Sequence, residues 1–227
     1  MKKKIIKYLA IIPCRKNSKR IKNKNLKKIN DKSLVEITLN QAQKVKQIES
    51  IIISTDSTKI LKIIKDHKKI IKFKRKKRLS KDNSTTESVI LDVIQEYEKK
   101  KDREIKNIIL LQATSPLRRY SDISNAIKTY EEGNYDSLFS AHYEKLFLWK
   151  KKKKFLSITY NFRKRERTQK MEGIFVENGS LFIFNKKKFL KYKNRLFGKI
   201  GVSIMSKYRS FEVDTPQDFK FIKKIFV

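Results

Sequence analysis

The chain has one cysteine, two histidines and no apolar run long enough to cross a bilayer, and each scarcity closes off a class of protein. A lone Cys14 excludes an intrachain disulfide and fits a reducing compartment. One cysteine with His67 and His142 far apart offers no structural-zinc spacing. A membrane span needs about 18 apolar residues in a row. The N-terminal MKKKIIKYLAIIPCRK imitates a signal peptide, but Pro13 and Arg15 end its apolar part too early. These absences predict a soluble, cytoplasmic protein. At 227 residues the chain fits one large domain, able to bury roughly 70% of its unfolded surface without a disulfide or metal staple.

Acidic residues are scarce too: 23 against 58 basic ones, a formal charge of +35. The lysines run along the whole chain, and there is no aromatic RNA-binding pattern, zinc finger or basic zipper among them. Charge of this kind predicts salt-screened, non-specific attraction to polyanions. A basic nucleic-acid-binding protein stands as the reading from another class.

Apolar runs alternate with stretches of helical periodicity. Strands are predicted at 8–13, 51–55, 70–73, 108–111, 137–141, 181–184 and 202–205. Helices are predicted at 33–46, 58–66, 84–100 and 121–132, with a last one opened by Thr215-Pro216. Ser33 with Glu36, and Ser84 with Glu87, have capping-box spacing. Continuous apolar strands separated by helices predict an α/β fold with a mostly parallel sheet covered on both faces. Such sheets bind ligands beyond the carboxyl ends of their strands. The loops CRKNSKR, STDS and QATSPLR each follow such an end. Residues 145–176 break the rhythm, with a hairpin pattern carrying a lysine-rich tip and then a polar stretch. They read either as a projecting oligomerisation arm or as a mobile surface loop.

The stretch IIPCRKNSKRIKNKNL places six cations directly after a buried-strand pattern. A loop leaving a parallel strand can aim backbone N–H groups and cations at one phosphate group. This loop contains no glycine, so it is neither a Walker loop nor a dinucleotide fingerprint. On spacing alone it either grips a small anion or is one more solvated basic patch.

A family resemblance bears on that choice. Ile12-Pro13-Cys14-Arg15, Ser18-Lys19 and Lys24-Asn25 fall at the spacing of the N-terminal signature of the acylneuraminate cytidylyltransferases, the CMP-sialic acid synthetases. The resemblance continues through Ser54-Thr55-Asp56, Arg75 with Leu79 and Asp82, and Leu111-Gln112-Ala113-Thr114-Ser115-Pro116-Leu117-Arg118. It ends with Glu177-Asn178-Gly179-Ser180 and Glu212-Val213-Asp214-Thr215. The chain departs from the family at Cys14 for alanine, Lys76 for proline, Thr168 for a second arginine and Glu212 for aspartate. Asn17 and Arg20 stand at glycine positions of the first loop; Asn tolerates left-handed backbone.

What the resemblance implies is a Rossmann-like, three-layer α/β nucleotide-diphospho-sugar transferase fold. It would be a single domain over 1–227 with an inserted dimerisation arm at about 145–176. The implied reaction joins CTP to the anomeric hydroxyl of an acidic nine-carbon 2-keto sugar and releases pyrophosphate, with Mg2+. Arg15, Lys24 and Asp214 are the implied catalytic residues. Arg15, Asn17, Ser18, Lys19, Lys24, Asn25 and Arg75 are implied for the nucleotide, and Gln112, Ser115, Arg167 and Gln169 for the sugar. Asp214 and Glu212 are implied for the metal. Asp214 also has an ordinary reading as an acid before the Thr215 helix cap, and Gln112 and Ser115 as turn residues. A homodimer making a nucleotide-activated sugar for surface glycans or flagellin is expected. A 3-deoxy-manno-octulosonate cytidylyltransferase, or another sugar nucleotidyltransferase on the same fold, is the alternative within the class.

Overall fold

Aliphatic runs rich in isoleucine form the strands of one seven-stranded sheet. The computed structural model describes residues 4–226, so Lys2 and Lys3 of the lysine-led N-terminus lie outside it. In chain order the first half contains β1 (Lys4–Pro13), β2 (Lys28–Ile29), β3 (Lys32–Ser33), α1 (Leu34–Gln43), β4 (Ser50–Thr55), α2 (Thr58–Ile63), β5 (Ile70–Lys74), α3 (Thr86–Lys101) and β6 (Arg103–Leu111). There follow α4 (Tyr120–Glu132), β7 (Ser137–Glu144), β8 (Trp149–Lys151), β9 (Phe155–Ser157), β10 (Ile174–Asn185), α5 (Lys186–Tyr192), β11 (Ile200–Ile204) and α6 (Pro216–Ile225).

The sheet order is β11-β7-β10-β6-β1-β4-β5. Its neighbours pair in parallel except where β10 lies antiparallel between β6 and β7. Side chains alternate across it as strand geometry requires. Ala10, Ile12, Ile51, Ile53, Ile109 and Leu111 face a core closed by α1, α2 and α4. Leu9, Ile11, Ile52, Ile108 and Leu110 face a second core closed by α3 and α5. Helices on both faces make three layers, as expected. A smaller cluster seats α6 through Ile222 against Val213, Leu34 and Ile37.

Two capping arrangements match their spacing: Ser33 with Glu36 opens α1, and Thr215 with Asp218 opens α6 behind Pro216. The cap of α3 is Thr85 and not Ser84. Thr85 Oγ1 accepts from Ser88 N at 3.1 Å, whereas the Ser84 hydroxyl donates to Arg78 O and belongs to the preceding turn. Glu87 is thereby free of a capping duty and pairs with Arg195 at 2.7 Å. The 58–66 helix stops at Ile63 because Ile64 turns to extended backbone. The hairpin forms as β8 and β9 around a turn at Lys152–Lys154. Trp149 anchors it, donating Nε1–H to the Tyr160 hydroxyl at 3.0 Å and packing on the rings of Tyr160 and Phe162.

Candidate active site

The parallel strands β1, β4, β5 and β6 end on the same side of the sheet, so the loops after Pro13, Thr55, Lys74 and Leu111 converge there. The loop after β1 is closed by hydrogen bonds at three points. Cys14 N donates to Ser54 O at 2.9 Å, Lys16 N donates to Asp56 Oδ1 at 2.6 Å, and Asn25 Nδ2 donates to Arg15 O at 3.1 Å. Asp56 therefore ties the loops after β1 and β4 together. Cys14 is a buried small residue, and burial pushes its thiol up to about 12, so it holds no reactive thiolate at neutral pH. The left-handed residue of the loop is Asn23, at φ 54°, rather than Asn17.

The loop's cations are shared between two carboxylates. Arg15 Nη1 and Lys19 Nζ each lie 3.1 Å from Asp82. Arg20 Nη1 lies 3.0 Å from Asp214 Oδ2, and Lys24 Nζ lies 3.1 Å from Oδ1 of the same carboxylate. A cavity of about 310 Å3 is lined by Arg15, Ser18, Lys24, Asn25, Arg75, Asp82, Gln112 and Thr114, whereas Arg20, Asp214 and Glu212 are not in its lining. Asn17 and Lys19 line an adjoining groove that shares Ser18 and Asp82 with this cavity. A larger and more apolar cleft of about 590 Å3 lies on the far side of the 115–119 turn, among Ile29, Gln41, Leu117 and Tyr120. Chemistry rather than volume selects the smaller cavity, because the converging cations and amides are there.

Arg75 is buried, with Nη2 on Ser54 O at 2.7 Å and Nε on Ser54 Oγ at 3.3 Å. Burial lowers its pKa from the ordinary guanidinium value. Gln112 lines the cavity, while Ser115 is fully buried and its hydroxyl donates to Glu212 Oε1 at 3.3 Å. The segment carrying Glu212 and Asp214 is joined to the loop after β6 and to the first loop: Val213 N donates to Thr114 O at 2.8 Å, and Lys24 Nζ donates to Val213 O at 3.0 Å. Burial and the neighbouring Asp214 push Glu212 up to about 7. Gly179 leaves room for that carboxylate. Its φ is +60°, and a Cβ there would sit 2.7 Å from Glu212 Oε1.

Arg118 carries a structural weight that its sequence context does not reveal. It is fully buried and donates to Gln112 O, to Ser180 O and Oγ, and to Gln41 Oε1, which staples the loop after β6 onto β10 and α1. Burial pushes its guanidinium down to about 10, still charged at neutral pH. The sequence signal for it was a single arginine ending the LQATSPLR segment. Arg167 and Gln169 are not brought to the cavity. They sit on an exposed turn beyond the hairpin, where Lys145 Nζ donates to Gln169 O at 2.9 Å.

The donor set suits magnesium. Among the described residues no group of three or more His, Cys, Asp or Glu side chains could hold a metal ion. Magnesium instead takes one or two carboxylates together with substrate phosphates and water. Asp214 and Glu212 supply that number on one short segment, which Lys24 ties to the first loop through Asp214 Oδ1 and Val213 O.

A family profile described as Cytidylyltransferase matches residues 9–226. The chain is 33% identical over 222 residues to the post-translational flagellin modification protein B of Campylobacter coli, covering 95% of this chain and 93% of that one. It is 30% identical over 222 residues to the CMP-N,N'-diacetyllegionaminic acid synthase of Campylobacter jejuni, with the same coverage. It is also 30% identical over 220 residues to the N-acylneuraminate cytidylyltransferase of Streptococcus agalactiae, of which it spans about half, 52% of the length. Among solved structures, a CMP:2-keto-3-deoxy-manno-octonic acid synthetase complexed with CTP superimposes with a TM-score of 0.68 at 13% identity. That match covers 96% of this chain and 98% of the other, and shows a shared fold.

Proposed function

The chain belongs to the cytidylyltransferase family, and we propose that it transfers CMP from CTP to the anomeric hydroxyl of an acidic 2-keto nonulosonic acid, releasing pyrophosphate. The observation that carries this reading is the cavity where Arg15, Ser18, Lys24 and Asn25 meet Arg75 and Gln112. The relatives named for legionaminic and acylneuraminic acids support a nine-carbon acidic acceptor. The relative named for post-translational flagellin modification supports a product used to modify flagellin, and dependence on CTP supports a cytoplasmic site.

In this reading Arg15 and Lys19 exchange Asp82 for the phosphates of CTP, a trade of one anionic partner for a stronger one. Ser18 hydrogen-bonds the same group, and Asn17 contributes from the adjoining groove. Asn25 is a positioning residue, since its amide holds the Arg15 backbone. Lys24 bridges Asp214 and the phosphate under attack. Arg75 walls the base end of the cavity, already oriented by Ser54. Gln112 forms the acceptor side, and Ser115, buried and bonded to Glu212, is a positioning residue. Asp214 and Glu212 would hold magnesium, which when bound neutralises charge on the phosphate oxygens and the leaving pyrophosphate. Arg167 and Gln169, distant from the cavity, reach an acceptor only if two copies pair through the 145–176 arm.

The test is pyrophosphate release from CTP and magnesium over a panel of nonulosonic acids, with 3-deoxy-manno-octulosonate included. Turnover is expected with at least one nine-carbon acid and a loss of a hundredfold or more in Asp214→Ala. Turnover with the eight-carbon acid alone would move the assignment to the octulosonate branch. No CTP binding at all would return the cations to the polyanion reading.

A further inference from the structure

Asp214 holds its two cations in different ways. Lys24 Nζ is also bonded to Val213 O, and only 15% of its side chain is exposed. Arg20 is 65% exposed, and Asp214 Oδ2 is its sole hydrogen-bond or ion-pair partner among the described residues. Lys24 is thus part of the framework, whereas Arg20 is laid from outside over the outward oxygen. An exposed pair of this kind contributes little to stability, so it exchanges readily. While it lasts, the guanidinium covers the oxygen a hard cation needs and repels that cation. The backbone at Arg20 is not in the left-handed region, so nothing in the loop demands glycine there, although the family resemblance leads one to expect it.

We propose that Arg20 is an exchangeable counter-cation that competes with divalent metal for Asp214 and so favours loading of the metal together with the triphosphate. The inference rests on the reading of Asp214 as a metal ligand. Metal arriving alone must displace the guanidinium from Asp214 with only Asp218 nearby, a carboxylate already accepting from Asp214 N and Thr215 N. A triphosphate brings its own oxygens, and a guanidinium pairs with phosphate through its fork of N–H groups. The charge that hinders the bare ion then binds the nucleotide.

Mn2+ titrated alone into the nucleotide-free full chain, with the free ion followed by its electron paramagnetic resonance signal, reads this competition directly. Arg20→Gln removes the charge while keeping most of the side chain, at an exposed position. The variant is expected to bind Mn2+ about three- to fivefold more tightly than wild type, and adding Asp214→Asn abolishes the gain. With CTP present the gap between wild type and Arg20→Gln closes. Equal Mn2+ affinities, both weakened by Asp214→Asn, overturn the competition and leave the metal reading standing. A gap that persists with CTP overturns the link to the nucleotide. Mn2+ binding indifferent to both substitutions overturns the metal reading, and this inference with it.

Discussion

The first loop and the hairpin tip are equally rich in cations and differ in what those cations meet. Arg15, Lys19, Arg20 and Lys24 are all paired, two to Asp82 and two to Asp214, and Arg15 and Lys24 line the cavity. Lys150 to Lys154 form no ion pair among the described residues; Lys151 only leans over the Phe155 ring, 5.8 Å from its centroid. In a chain of charge +35, carboxylates are the scarce component, and where they are placed marks which cations have a task. The first loop's cations are held by carboxylates from distant segments, whereas the hairpin tip is a solvated basic surface.

Substitutions can sharpen or break this contrast. The largest effect belongs to Lys24→Ala, which removes the least exposed cation of the loop. A loss of about a hundredfold in kcat/KM is expected from the pyrophosphate assay, and a loss below tenfold would place Lys24 among the background lysines. Next is the pH dependence of Glu212, which burial and then Asp214 push up to about 7 from the ordinary carboxylate value of 4.5. The folded state then binds the extra proton, so stability is fully present below about 4.5 and is lost as pH rises through about 7. The slope is at most about 1.4 kcal/mol per pH unit. Denaturation of the metal-free chain across that window should show this slope, and Glu212→Gln should flatten it; an unchanged slope would separate Glu212 from the Asp214 carboxylate. The smallest effect is Asp82→Asn. By freeing Arg15 and Lys19 it is expected to lower the KM for CTP about two- to threefold, since the ion pairs it removes are exposed. Glutamines at Lys152, Lys153 and Lys154 serve as the contrast, leaving turnover unchanged while lowering the salt needed to elute the protein from a polyanion column.

Much of the fold could be read locally. Strand and helix periods, the caps at Ser33 and Thr215 and the hairpin around Lys152–Lys154 depend on neighbours within a few residues. The α3 cap was misplaced by one residue because Ser84 and Thr85 both suit the role, and only the Ser84 bond to Arg78 O separates them. The helix α5 escaped notice because KKKFLKY is short and presents little apolar pattern. The antiparallel direction of β10 left no mark, since a buried strand has the same aliphatic composition in either direction.

The sequence by itself determined that cations and amides follow β1 and that the distinctive loops share one end of the sheet. It did so because strand ends and turn chemistry are local. Which acid each cation meets was decided only by tertiary structure. Arg20 and Lys24 reach Asp214 because α6 is seated by Val213 and Ile222 against α1, which brings the 213–222 segment to the first loop. The burial of Arg118 and the raised Glu212 likewise arise from segments far apart in the chain, because desolvation and Coulomb interaction depend on distance in space and not along the sequence.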